Sequence, residues 1–230
     1  MNFLAHLLLS GDDPEMMTGN LMADFLKGEN RLRYPARFQT GIRLHHRIDK
    51  LTDEHPVVAR GKRRMPPPFR RYAGVLADIF CDHFLTCAWD QYCPDRTLRR
   101  FSAGVYDTLW EARDELPPRL RRVLPWMIGE DWLGSYAETA GIDRTLKRLS
   151  KRPRRENPLA AGISQLEVNY SQFRDDFHVF FSLLAAEASG WIGRAQETDV
   201  RGDGRANGRV ETAATVSAVR ETLGGMRSSR

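Results

Sequence analysis

The sequence predicts an all-α fold, and three observations predict it. Between Val75 and Trp89, the residues Val75, Asp78, Asp82, Leu85 and Trp89 fall on one stripe at spacings of three and four, while Leu76, Phe80 and Phe84 make the opposite side apolar. That is the period of a helix, and a helix apolar nearly all round is a buried one. A second run, Leu159, Ile163, Leu166, Tyr170, Phe173, Phe177, Phe180 and Leu184, keeps the same spacing. Third, no stretch alternates apolar and polar residues for long, as a half-buried strand would, and no internal repeat is present. A chain of 230 residues with 41% hydrophobic content suits one globular domain with its own core. The expected bounds are a helical domain over residues 1–195 and a disordered tail over 196–230, where Gly, Arg, Asp, Thr and Ser replace large apolar residues.

Taken in order, MNFLAHLLLS reads as a short buried helix. It has no basic leader and is too short to span a bilayer, so no membrane association is expected. Asp13-Pro14 supplies an N-cap and a first helical residue for a helix running to about Lys27 before Gly28. A helix over about Ala36–Thr52 sets Gly41, Leu44, Ile48 and Leu51 on its core stripe, His46 towards solvent, and His45 with Asp49 on a strip between them. Lys62–Pro68, basic and proline-broken, reads as a loop. Helices over about Thr97–Glu115 and Asp143–Leu149 follow, with short helices between them and a basic loop or helix end over Lys147–Arg155. The second apolar run above is then one long final helix.

Several classes lack support. There is no GxxxxGK[ST], GxSxG or HExxH, and Cys81, Cys87 and Cys93 form neither an evident disulfide framework nor a CxxC site. Free thiols suit a reducing compartment, and the cytoplasm is expected. A formal net charge of +5 favours an acidic partner, and charge alone does not separate nucleic acid from an acidic protein.

The chemistry is carried by polar residues four apart on three helices: Asn20 with Asp24, His45 with Asp49, and Asp78 with Asp82. Carboxylates on a buried helix cost several kcal/mol each unless protonated, ion-paired or holding a metal. Oxygen donors with one or two imidazoles suit Mn²⁺, Mg²⁺ or Fe²⁺. The opposing reading is a set of buried ion pairs, such as Asp49 with Arg47, in a basic helical binding module. A lone histidine in an apolar segment, as His6 is, is more often a structural residue than a ligand.

The opening MNFLAHL, the segment Gly19–Phe25, Gly41-Ile42 followed by His45-x-Arg47-Ile48-Asp49, Asp78-x-x-x-Asp82-His83-Phe84-Leu85 and Trp132-Leu133-x-x-Tyr136 together resemble acyl carrier protein phosphodiesterases. The resemblance spans residues 1 to about 190. It implies hydrolysis of the phosphodiester between 4'-phosphopantetheine and a serine of holo acyl carrier protein, hence a protein and no nucleic acid as the acidic partner, a divalent metal, typically Mn²⁺, and a distant link to the helical HD phosphohydrolases. An HD-like nucleotide phosphohydrolase is the enzymatic alternative. On this reading Asp24, Asp78, Asp82 and His45 are the leading metal ligands, with His83, Asp49 and His6 further candidates. Asp24 or Asp49 is the base, and Arg47 grips the phosphate with its planar fork.

Overall fold

The structure, a computed structural model, describes residues 2–26, 28–151 and 155–196. None of these lies in a strand. They belong to a unit of residues 1–189 and a second of residues 190–230. The first unit contains α1 (Phe3–Leu8), α2 (Pro14–Met22), α3 (Ala36–Glu54), α4 (Pro56–Arg64), α5 (Ala73–Cys87), α6 (Trp89–Tyr92), α7 (Leu98–Glu111), α8 (Pro118–Gly129), α9 (Thr139–Ser150) and α10 (Ile163–Val168). Helical residues 170–189 follow as α11, and residues 190–196, the described part of the second unit, are helical as well. α2 stops at Met22 and passes into a 3-10 turn over Ala23–Phe25, short of the expected end at about Lys27, which itself lies outside the described residues, as does the tail beyond 196.

α5 packs against α1, α4, α6 and α9. Its Leu76, Phe80, Phe84 and Leu85 are buried, each worth about 1.5–3 kcal/mol by removal of apolar surface from water. Asp13 caps α2 as its position before Pro14 predicts, accepting from the Met16 amide at 2.8 Å. α2 and α3 cross at their glycines. A Cβ on Gly19 would lie 2.1 Å from the Phe38 carbonyl oxygen, and one on Gly41 would lie 2.1 Å from that of Met16. Only hydrogen at these positions lets the two backbones touch, and the contact sets Asn20 of α2 beside His45 of α3.

Three further expectations change. Lys62–Arg64 is the last turn of α4 rather than a loop: Pro56 opens the helix, His55 accepts from the Val57 amide at 3.3 Å, and the basic residues meet the carbonyl end of the dipole. The proline run that suggested a loop begins only at Pro66. The final helix comes in pieces, a 3-10 turn at Pro158–Ala161, then α10, a turn at Asn169, and α11. Its apolar register survives, with Leu159, Leu166, Phe173, Phe177, Phe180 and Leu184 all buried. Asp78 is only half-buried, whereas Asp82 is fully enclosed.

Candidate metal centre and the groove beside it

α1 brings His6, α2 brings Asn20, and α3 brings His45 and Asp49 to one point. The His6 and His45 rings stack with centroids 4.2 Å apart. Asn20 dictates their protonation. Its amide nitrogen donates to the His6 carbonyl at 3.0 Å and to Ser10 Oγ at 2.8 Å, so its oxygen faces His6 Nδ1 at 2.9 Å and His45 Nδ1 at 3.2 Å. An amide oxygen only accepts, so both Nδ1 atoms carry hydrogen, and a ring in its neutral form turns an Nε2 lone pair outward. Those lone pairs meet the Asp49 carboxylate, His6 Nε2 at 3.2 Å from Oδ1 and His45 Nε2 at 3.1 Å from Oδ2. Lone pairs facing an anion repel unless a proton or a cation lies between them.

Protonation is unfavourable at one of the two rings. Burial pushes His6 down to about 3, against the pull of its hydrogen bond to Asp49. Burial also opposes ionisation of Asp49, but wherever an Nε2 carries a proton the hydrogen bond it donates, from His45 first and His6 next, outweighs burial and holds that carboxyl below the usual range. Neutral imidazoles and an ionised carboxylate are the forms that bind metal. Among the described residues, His6, His45 and Asp49 are also the group whose ligand atoms all lie within 4.8 Å of one another. The donor set fits a divalent cation, with Asn20 in the orienting role usual for a partner of metal-binding histidines.

Asp24 sits on the 3-10 turn Ala23–Phe25 that ends α2, its Oδ1 3.6 Å from His45 Nε2. Desolvation raises its carboxyl, nearby His45 lowers it, and the negative charge of Asp49 raises it again. Half exposed, it also lines a groove of about 430 Å³ together with Asp78, Phe3, Phe25, Trp132 and Arg148. The groove therefore starts at the two-histidine centre.

Other predicted residues are not brought into the cluster. Asp82 turns to α1, whose N-cap Asn2 offers no side-chain cap, and its two oxygens accept from the Leu4 amide at 2.9 Å and the Ala5 amide at 3.1 Å. It is a cap supplied from another helix. Burial drives its carboxyl up to about 7 despite those two bonds. His83 donates from Nδ1 to the Tyr136 carbonyl at 2.8 Å and accepts at Nε2 from the Tyr170 hydroxyl at 3.1 Å. Arg47 reaches Glu187 at 3.5 Å. Asp78 faces the groove beside Asp24 rather than the imidazoles. Sequence spacing pairs Asn20 with Asp24 as donors, but the orienting role of Asn20 and the support from Ser10 come from contacts between helices.

Fold and centre together define an all-helical protein in which two imidazoles and two carboxylates open onto a half-apolar groove. A family model described as acyl carrier protein phosphodiesterase matches residues 1–184. Relatives named acyl carrier protein phosphodiesterase include one from Photorhabdus laumondii, 33% identical over 82% of this chain and 95% of its own length. Another, from Pectobacterium atrosepticum, is 34% identical over 79% and 94%, and a third, from Yersinia pestis, is 31% identical over 82% and 97%. No solved structure matches the chain. The chain belongs to the acyl carrier protein phosphodiesterase family, a family of enzymes. No described helix is long and apolar enough to cross a membrane.

Proposed function

We propose that this protein is a divalent-metal-dependent phosphodiesterase that cleaves the bond between 4'-phosphopantetheine and the serine of holo acyl carrier protein, releasing the apo protein. Family membership supports the carrier protein and its prosthetic group as substrate. One observation carries the metal: Asn20 Oδ1 engages both Nδ1 atoms and so aims two Nε2 lone pairs at the Asp49 carboxylate. His6, His45 and Asp49 would hold the cation, and their mixture of imidazole and carboxylate suits Mn²⁺ or Fe²⁺ better than Mg²⁺. When bound, the cation supplies charge for a phosphoryl oxygen and acidity for a water molecule.

The remaining steps belong to the chain's own residues. Asp24, whose carboxyl is raised by burial, takes the proton from the attacking water as the new P–O bond forms. It returns that proton to the serine Oγ as the old P–O bond breaks, so the products are apo carrier protein and 4'-phosphopantetheine. Asp49, which would hold the cation and whose carboxyl lies below the usual range, is the weaker base.

Mass spectrometry of holo carrier protein tests this reading. Chelator-treated enzyme should leave the substrate intact, added Mn²⁺ should convert it to the apo form, and Asp49→Asn should abolish conversion with the helical spectrum retained. Equal conversion with and without chelator would remove the metal from the proposal; no conversion under either condition would remove the substrate.

A further inference from the structure

The groove has a wall that the chemistry at phosphorus does not use. Phe25, Phe3 and Trp132 stack in succession, with centroids 6.1 Å and then 6.5 Å apart and planes within 25° and 11° of parallel. The Arg148 guanidinium lies over the Trp132 ring at 3.8 Å from its centroid. Four flat groups thus form a continuous strip, and Asp24, at the strip's near end in the same groove, also lies 3.6 Å from His45 Nε2. At the far end, Trp132, Thr145 and Arg148 are shared with a second cavity of about 490 Å³ that includes Arg144.

A strip of this kind selects its occupant. Stacked rings turn their edges to the groove, Trp132 being only 5% exposed, and apolar edges take up branched aliphatic groups and the alkyl parts of an amide chain alike; Arg148, held by Glu130 at 2.8 Å and donating to Thr145 Oγ1 at 3.4 Å, brings a guanidinium charge to the far end. The groove is also within the range of about 300–1,000 Å³ usual for small-molecule sites. One half of the proposed substrate is an extended chain of two amides and a dimethyl-substituted carbon that starts at the phosphate. We propose that the pantetheinyl arm lies along the strip from Asp24 to Arg148, and that Trp132 and Arg148 set specificity for it. This rests on the reading that the substrate is a pantetheinyl phosphodiester. It also gives Trp132-Leu133-x-x-Tyr136 a role apart from the metal.

The test uses bis(p-nitrophenyl) phosphate, which has neither arm nor carrier protein, as a reporter of the centre, with 4'-phosphopantetheine and inorganic phosphate as competing inhibitors. In the unaltered enzyme 4'-phosphopantetheine should inhibit at about tenfold lower concentration than phosphate, the worth of one good aromatic contact. Trp132→Ala should bring the two inhibition constants together, Trp132→Phe should restore most of the difference, and Arg148→Met should remove part of it. Equal inhibition in the unaltered enzyme would overturn the proposal, as would a difference that survives Trp132→Ala. So would a loss in Trp132→Ala confined to KM for holo carrier protein, which would assign the strip to the protein surface of the substrate. Failure to hydrolyse holo carrier protein while 4'-phosphopantetheine still outcompetes phosphate would sink the proposed function and leave this assignment standing.

Discussion

Asn20 exerts its influence through hydrogen placement. Replacing it by alanine removes the acceptor that fixes both Nδ1–H groups, and each imidazole can then turn the wrong nitrogen towards the centre. Partners of this type are typically worth about 10–100-fold in metal affinity. Asn20→Ala should therefore weaken Mn²⁺ binding by about that factor in calorimetric titration while the circular dichroism spectrum stays helical; unchanged affinity would show that the tautomers are set elsewhere. Asp82 and His6 make a second prediction, for the metal-free protein. Asp82 has a folded value of about 7 against an ordinary value of 3.8, so its contribution to stability is full below the ordinary value and is lost as pH rises towards the folded one. His6 falls from 6.5 to about 3, so its contribution is present above 6.5 and is lost as pH falls towards 3. Each spans about 4–5 kcal/mol, and the slopes oppose one another between about pH 4 and 6.5. Asp82→Asn deletes one slope. It should lower stability by about 1–2 kcal/mol at acid pH through the impaired cap, and the variant should then gain on the unaltered protein as pH rises from about 4 to 6.5. Urea midpoints across that window decide it, and parallel curves would refute the assignment.

At the scale of elements, the centre depends on how closely α2 and α3 approach. The apolar stripe of α3 identifies Gly41 as a core-facing position, but its sequence does not reveal that the opposing surface is the bare backbone of α2. A methyl group there would lie 2.1 Å from a carbonyl oxygen, a contact that only a shift of one helix relieves. Gly41→Ala should thus cost about 3 kcal/mol, the upper end for overpacking. Because the shift parts Asn20 from His45, it should also lower turnover more than the exposed control Gly104→Ala. A variant that melts at a lower temperature yet turns over normally would show that the centre tolerates the displacement.

Across the whole molecule, an excess of positive charge meets a substrate that the proposed function makes acidic. The basic turn of α4 is partly occupied: Lys62 pairs with Asp53 at 2.8 Å, and Arg64, with Arg60, engages the buried Asp176. That turn contributes nothing to the groove's lining, whereas Arg144 lines the cavity that adjoins it. Raising salt from 0.1 to 1 M shortens the screening length from about 10 to about 3 Å, so kcat/KM for holo carrier protein should fall while hydrolysis of bis(p-nitrophenyl) phosphate changes much less. Arg144→Glu should lower the former about tenfold, and Arg63→Glu by less than about twofold. Equal effects of the two reversals would mean that charge acts only through the molecule's net value.

The sequence by itself determined the helical class, the Asp13-Pro14 start of α2, the core stripes of α3 and α5, and the presence of imidazole and carboxylate donors on separate helices. Each depends on residues within a turn or two of one another, where spacing alone says which side chains share a face. Tertiary structure decided which donors meet. Asp78, Asp82 and His83 share one helix and read as a set, yet Asp82 caps α1, His83 bonds to Tyr136 and Tyr170, and Asp78 faces the groove. His6, in an apolar segment that reads as plain core, reaches the centre because Asp82 anchors the first turn of its helix and Asn20 turns its ring. Spacing assigns a face but not the helix that will lie against it, and a buried polar atom takes its role from the partner that satisfies it.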